Sequence, residues 1–413
     1  MVNIAVLGFG VVGTGVVEVI RKSNESINRK AGDNINLKYI LDIRDFPGHP
    51  ESSIMTKKPD DIFHDPEVNL IVETIGGTGI AYEFTKRALL SGRHVVTSNK
   101  ELVATHGPEL LQIAKEKNVH YLFEASVGGG IPIIKPLYEC LAANEITSIM
   151  AILNGTTNYI LTSMAKEGKD FDTALKDAQV NGYAEANPTA DIEGHDSCRK
   201  IAILSSIAYG MFVDYKHIPT EGIKNITYDD QKIAQALNFK IKLAAYSKVL
   251  GNKVFARVCP VMLTSSHALA NVEDVFNAIL VSGDAIGDVM FYGRGAGKLP
   301  TASAVVGDII DIAKNIDRSH MYVWTEKQED NLLNPGEVET RYFVRVKVRN
   351  SEEAKNYINK IFGVTEFIGL LGYQDQLAFI TNKGPDKEIS GNIDKLKEIA
   401  SVSKVLTSLR AIE

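Results

Sequence analysis

The hexapeptide GFGVVG at residues 8–13 constrains this chain more than any other stretch. It follows the apolar run VNIAVL and opens the amphipathic run VVGTGVVEVIRKS. That is a strand, a glycine turn and a helix. Gly8 permits the tight turn, Gly10 lets a pyrophosphate approach the backbone, and Gly13 favours close helix–strand packing. The helix N-terminus then faces the anion. Phe9, Val11 and Val12 complete the same loop. Glycine turns are common, so the elements behind this one decide its meaning.

Four further strands are read in INLKYILDIRD, VNLIVETIGG, RHVVTSNKELV and VHYLFEASVGGGIPI, with helices such as AYEFTKRALLSG and PELLQIAKEKN between the later ones. Short apolar strands alternating with helices predict βαβ units and a parallel sheet covered on both faces. The first domain is therefore α/β, a Rossmann-type doubly wound dinucleotide-binding domain.

After about residue 140 the rhythm changes. EITSIMAILNG, KVFARVCPVML and VMFYGRGAGKLP read as strands, and TTNYILTSMAKEG and FDTALKDAQVNGYAE as helices. They predict a mixed α/β domain for catalysis and dimerisation. TASAVVGDIIDIAKNI is a helix able to pack back on the first domain. A polar stretch around 317–338 reads as a linker, and TRYFVRVKV, SEEAKNYINKIFG, VTEFIGLLG and DQLAFITN follow as a small α+β unit. The expected boundaries are 1–138 plus 300–318, 139–299, and 338–413.

A chain of 413 residues suits two or three domains. A net charge of -6 offers no basic face for nucleic acid. No apolar run reaches the roughly 18 residues of a membrane span, and no leader is seen, so a soluble, cytoplasmic protein is expected. Cys140, Cys198 and Cys259 are odd in number and far apart, as reduced thiols are.

The second strand ends LDIRD. Asp42 there suits a ribose 2′-hydroxyl, whereas Arg44, with Lys57 and Lys58 nearby, suits a 2′-phosphate. NAD against NADP stays open, with NADP placed first; a surface salt bridge is the plain alternative. TSNK falls at the carboxyl end of the fourth strand, where ligands collect. That points Ser98, Asn99 and Lys100 toward a cofactor.

Residues 191–200 read DIEGHDSCRK, ahead of the apolar run IAILSSIAYGMF. Asp196 and Lys200 share a helix face, and an exposed pair of that kind is worth only about 0.3–0.5 kcal/mol. Lys200, however, also shares its face with Ile203, Leu204 and Ile207, which should be buried. Desolvation disfavours an ammonium, and a lysine so placed exchanges protons near neutral pH. Asp191, Glu193 and Glu185 supply carboxylates for a substrate ammonium. His195 with scattered acids makes a poor metal site.

These pieces resemble the homoserine dehydrogenase family over at least residues 1–315. The motifs that carry the resemblance are GFGVVG, VVTSNK, EASVGGGIP, LNGTTNYIL, GYAEANPTADIEGHDSCRK and GRGAGKLPTASAVVGDI. It implies interconversion of L-homoserine and L-aspartate 4-semialdehyde with NAD or NADP, on the route to threonine, methionine and isoleucine. By motif position, Lys200 would be the proton donor, Lys100 the second lysine, and Asp196 would orient Lys200 or the substrate hydroxyl. Glu185 and Asp191 would hold the substrate amino group. Asn154, Gly155, Thr156, Gly295 and Gly297 would line the nicotinamide and substrate pocket, with Thr301 assisting. Glu124, Val127, Gly129 and Ile131 would hold a structural monovalent cation, sodium, which as a hard ion suits oxygen ligands; by its residues alone the stretch reads as a glycine-rich turn. A homodimer or higher homo-oligomer is expected.

Many relatives end in an ACT domain, a βαββαβ amino-acid sensor whose first loop carries Pro-Gly. Here that place reads VRNSEEAKNYINKIFG, without it. An ACT-like fold that assists assembly is expected, with threonine feedback in doubt. A fused aspartate kinase is not expected, since the nucleotide-binding strand comes first. Two other readings compete. An aspartate-semialdehyde dehydrogenase needs a nucleophilic cysteine, and Cys198 on the apolar side of its helix is a poor one. A nucleotide-bound regulatory protein with a degenerate site conflicts with the retained lysines and acids.

Overall fold

A computed structural model of the chain describes residues 1–317, 322, 324, 331–364, 366–368 and 372–412. They gather into two compact units. One comprises Met1–Ile149, Arg199–Lys216 and Val281–Glu329; the other comprises Met150–Cys198, His217–Leu280 and Asp330–Glu413.

The chain opens with a parallel sheet of β1 (Val2–Leu7), β2 (Ile35–Leu41), β3 (Met55–Thr56), β4 (Leu70–Glu73), β5 (His94–Thr97) and β6 (Tyr121–Leu122). Its order is β3-β2-β1-β4-β5-β6, and every neighbouring pair runs parallel. The order switches direction between β1 and β4, where open α/β sheets gather ligands. β1, β4 and β5 are buried along their whole length, as strands covered on both faces are. The intervening helices are α1 (Val11–Lys22), α2 (Asn24–Ala31), α3 (Pro59–Phe63), α4 (Ile80–Leu90) and α5 (Lys100–Lys117).

Next come β7 (Ile146–Ile152), α6 (Gly155–Glu167), α7 (Phe171–Val180), α8 (Thr189–Ile192), α9 (His195–Tyr209) and α10 (Tyr228–Ala236). The long hairpin β8 (Phe239–Leu250) and β9 (Lys253–Thr264) pairs antiparallel from Phe239↔Thr264 to Leu250↔Lys253. β10 (Phe276–Gly283), β11 (Gly287–Arg294) and α11 (Lys298–Lys314) follow. β8 and β10 escaped the sequence reading. α11 packs on α1, where a Cβ on Gly15 would lie 2.9 Å from the Lys298 carbonyl.

The C-terminal part holds β12 (Glu339–Thr340), β13 (Tyr342–Val348), α12 (Ser351–Phe362), β14 (Gln376–Ile380), β15 (Gly384–Pro385), α13 (Asp386–Leu396) and β16 (Val402–Ile412). β13 pairs antiparallel with both β14 and β16, over a core that includes Val344, Ile358, Phe379 and Leu396. β16 then pairs parallel with β9, joining both groups of strands in one sheet of order β11-β10-β7-β8-β9-β16-β13-β14. That shared sheet is why residues 338–412 fall within the second compact unit. Of the strand expected in VTEFIGLLG, residues 365 and 369–371 lie outside the described residues, and Ile368 bridges Ala378. Much of the linker expected at 317–338 also lies outside them. Its Tyr322 and Trp324 are nonetheless buried, both beside Phe123.

Candidate active site

At the glycine loop, Gly8 has φ +93°, a conformation that favours glycine. A Cβ on Gly13 would stand 2.0 Å from the Gly8 carbonyl, so α1 can start this close to β1 only with glycine there. Nothing lies within 4 Å of a Cβ on Gly10, and Val11 is exposed. The first turn of α1 therefore opens on free space without a side-chain cap, a cradle into which a pyrophosphate fits. The Phe9 ring is buried edge-on against Phe46 and His49, which leaves its backbone to line the loop.

Asp42 and Arg44, read as alternatives from the sequence, form a pair. Arg44 Nε and Nη2 each donate to an Asp42 oxygen at 2.9 Å, and Arg44 Nη2 also donates to the Phe9 carbonyl at 3.0 Å. The Phe9 N–H donates to Asp42 at 2.7 Å. The Arg44 side chain above all, then the main-chain N–H groups of Arg44 and Phe9, holds the Asp42 carboxyl well below its ordinary range against the effect of burial. Lys57 is engaged with Asp45 at 2.7 Å.

The loops after β4 and β5 are tied to this one. Thr74 Oγ1 donates to the Gly8 carbonyl at 2.8 Å, and Asn99 Nδ2 donates to the Gly77 carbonyl at 2.7 Å. Asn99 also caps α5, its Oδ1 accepting from Leu102 N–H, and Lys100 is the first residue of that helix. Ser98 lies in the same turn, half-buried. On α9, Lys200 is only 8% exposed and Asp196 only 4%, while Ile203, Leu204 and Ile207 are buried. Arg199 donates to Glu101 at 3.4 Å, tying the helix of Lys200 to the helix of Lys100.

The second unit gathers the acids. Asn154 caps α6 through Thr157 N–H, and its Nδ2 donates to Asp191 at 2.7 Å and to Asp196 at 2.9 Å. A Cβ on Gly155 would lie 2.8 Å from the Val275 carbonyl, which accounts for that glycine. Thr156 donates to the Tyr183 carbonyl at 2.6 Å. Glu185 is exposed and is not drawn into this network by any hydrogen bond seen among the described residues. Glu193 forms an ion pair with Lys224 at 2.5 Å, and His195 is exposed. Among the described residues no cluster of three His, Cys, Asp or Glu side chains is arranged for a metal ion. Cys198 and Cys259 are buried and Cys140 is exposed, and among the described residues none is in a disulfide.

Gly129 and Gly295 interlock: a Cβ on Gly129 would lie 2.5 Å from the Gly295 carbonyl, and Gly130 N–H donates to the Arg294 carbonyl at 3.1 Å. Gly297, at φ +124°, leads into α11, where Thr301 N–H donates to its carbonyl at 3.0 Å. The Glu124 carboxylate accepts the N–H groups of Ile133, Ile134 and Lys135 at 2.6, 2.9 and 2.7 Å. Burial pushes its carboxyl up despite those three donors. A carboxylate has about four lone-pair positions, so one further contact is possible. The carbonyls of Val127, Gly129 and Ile131, which the sequence reading groups with Glu124, are oxygens like the carboxylate, the ligand type a hard monovalent cation takes.

Three features were missed in the sequence: Glu73 buried at the end of β4, the Arg199–Glu101 pair, and the grip of Asn154 on two acids. Arg199 and Glu101 had a signal, since each adjoins a candidate lysine.

Known proteins resemble this chain over most of its length. A family model described as homoserine dehydrogenase matches residues 132–310, and one described as homoserine dehydrogenase, NAD binding domain, matches residues 8–124. The homoserine dehydrogenase of Neisseria gonorrhoeae is 38% identical over 99% of this chain and 98% of its own. The crystal structure of a homoserine dehydrogenase from Thiobacillus denitrificans superposes with a TM-score of 0.92 at 35% identity, covering 100% of this chain and 98% of that one. A hyperthermophilic archaeal homoserine dehydrogenase in complex with NADPH superposes with a TM-score of 0.63 at 32% identity, over 75% of this chain and 97% of that one.

Proposed function

The chain belongs to the homoserine dehydrogenase family of NAD(P)-binding oxidoreductases in aspartate-derived amino-acid biosynthesis, and we propose that Lys200 is the proton donor and acceptor of its reaction. The observation that carries this is a lysine 8% exposed, one helical turn after an Asp196 that Asn154 holds in place. The enzyme interconverts L-homoserine and L-aspartate 4-semialdehyde. When bound, the nicotinamide cofactor takes or gives the hydride. In oxidation the Lys200 amine accepts the hydroxyl proton as the carbinol carbon gives up hydride. In reduction the ammonium returns the proton to the aldehyde oxygen. Lys100 adds positive charge that polarises the carbonyl. Asp191 binds the substrate ammonium, Asp196 orients the reacting hydroxyl or Lys200, and Asn154 keeps the two acids apart and aimed. Glu185 would join them as a second contact to the ammonium.

The backbone of Gly8 to Gly13 would hold the pyrophosphate. Arg44 would leave Asp42 for a 2′-phosphate, which supports NADP as the preferred cofactor; the complex of the archaeal relative with NADPH points the same way. Gly295 and Gly297 would back the nicotinamide, and the turn of Glu124 to Ile131 would hold sodium in a structural role. The protein would work in the cytoplasm; among the described residues no helix is long and apolar enough to cross a membrane. The edge strand β11, with Met290 and Tyr292 exposed, suits pairing of two copies into a homodimer. Residues 338–413 are read as an ACT-like module serving assembly. The test follows nicotinamide absorbance with L-homoserine, offering NAD and NADP in parallel to wild type and Lys200→Ala. A loss of about 10² or more is expected for the variant; equal turnover would remove the assignment.

A further inference from the structure

Glu73 is the last residue of β4 and is fully buried. Leu7 beside it on β1 and Val72 before it on β4 are buried and apolar, and a carboxylate in such a place is costly unless every oxygen is satisfied. The partners that satisfy it come from the loop after β4 and from the end of β5. Oε1 accepts the N–H groups of Ile75 and Gly76 at 2.7 and 3.1 Å, in the loop after β4. Oε2 accepts the Thr97 hydroxyl at 2.6 Å, at the end of β5.

The Thr97 bond has a direction. A carboxylate has only acceptor positions to offer, so the Thr97 hydroxyl spends its proton on Glu73 and its oxygen accepts Asn99 N–H at 2.9 Å. Asn99 Nδ2 returns to the Gly77 carbonyl at 2.7 Å, which closes a ring of hydrogen bonds between the two loops. Asn99 Oδ1 caps α5 at the residue before Lys100. Thr74 carries the same assembly to the glycine loop through the Gly8 carbonyl.

We propose that Glu73 is a positioning residue for the dehydrogenase reaction: through Thr97 and Asn99 it fixes the turn that presents Lys100, in register with the other cofactor-facing loops. The proposal rests on the reading of Lys100 as a site residue. An amide cannot replace the carboxylate. Turned one way, Gln at 73 sets its NH2 against two N–H donors; turned the other, it leaves the buried Thr97 proton without an acceptor.

The test compares full-length wild type with Glu73→Gln, Thr97→Val, Thr97→Ser, Lys100→Ala and the double variant Glu73→Gln/Thr97→Val, in kcat and KM for L-homoserine and in thermal melting. Glu73→Gln and Thr97→Val should each lower kcat about tenfold or more, with KM changing less. Thr97→Ser, which keeps the hydroxyl, should restore turnover. The double variant should lose no more than the worse single one, because the two act in series. Should Lys100→Ala be impaired while Glu73→Gln and Thr97→Val stay within twofold of wild type, the proposal alone is overturned, even if melting drops. Wild-type turnover by Lys100→Ala would instead overturn the reading of Lys100 and the proposal with it.

Discussion

Arg199 on α9 and Glu101 on α5 meet at 3.4 Å, each one residue away from a lysine of the candidate site. The pair joins the helix of Lys200 to the first turn of the helix of Lys100. It is partly exposed, so it contributes about 0–1 kcal/mol. Glu101→Gln should therefore lower kcat by up to about fivefold and leave cofactor KM near its original value. Steady-state kinetics at low and high salt checks this, with the smaller effect at high salt.

Asn154 stands between two acids. Asn154→Asp would place a third carboxylate within 2.9 Å of Asp191 and Asp196 and abolish both donated bonds. KM for L-homoserine should rise at least about tenfold, with cofactor affinity unchanged. Asn154→Ala also removes the α6 cap, at about 1 kcal/mol of stability. Substrate titrations and chemical denaturation separate the two effects.

Arg44→Ala leaves Asp42 with the main-chain N–H groups of residues 9 and 44 and no guanidinium. The freed carboxylate suits a ribose 2′-hydroxyl and repels a 2′-phosphate. The ratio of kcat/KM for NADP over NAD should fall by about tenfold or more, measured with both cofactors on one preparation.

Much of this was legible in the sequence, for physical reasons. Gly8 and Gly13 stand where only glycine satisfies the turn and the close approach, so their spacing announced the fold. β1 and β4 are apolar throughout because both faces are covered. The burial of Lys200 was legible in the apolar side chains sharing its helix face. β8 was hidden because the alternation of FKIKL breaks off in the following AAYSKVL. Its Lys242 is buried, donating to Asn158 Oδ1 and the Val272 carbonyl. Burial pushes that lysine down to about 8. The join of β16 to β9 is a long-range parallel pairing with no local signal. Glu73 looked like an ordinary strand end, since its partners lie up to 24 residues away.

Acid should destabilise the first unit through His94. Burial, with the neighbouring His120 adding to it, holds this imidazole down at about 4, whereas an unfolded histidine titrates near 6.5. Between those values the unfolded chain takes the proton and the folded chain does not. Stability is therefore complete above about pH 6.5 and falls as the pH drops toward 4, by about 3 kcal/mol at most. His94→Asn keeps an acceptor for the His120 N–H, which His94 Nδ1 now receives at 3.0 Å, and should flatten that slope in denaturant melts between pH 7 and 5.

Chemical rescue tests the role of Lys200 most directly. Turnover of L-homoserine by Lys200→Ala should fall by about 10² or more and recover in part when methylamine is added, in proportion to the free amine present. Turnover by Lys200→Ala within threefold of wild type, at saturating substrate and cofactor and without added amine, would contradict proton transfer by Lys200.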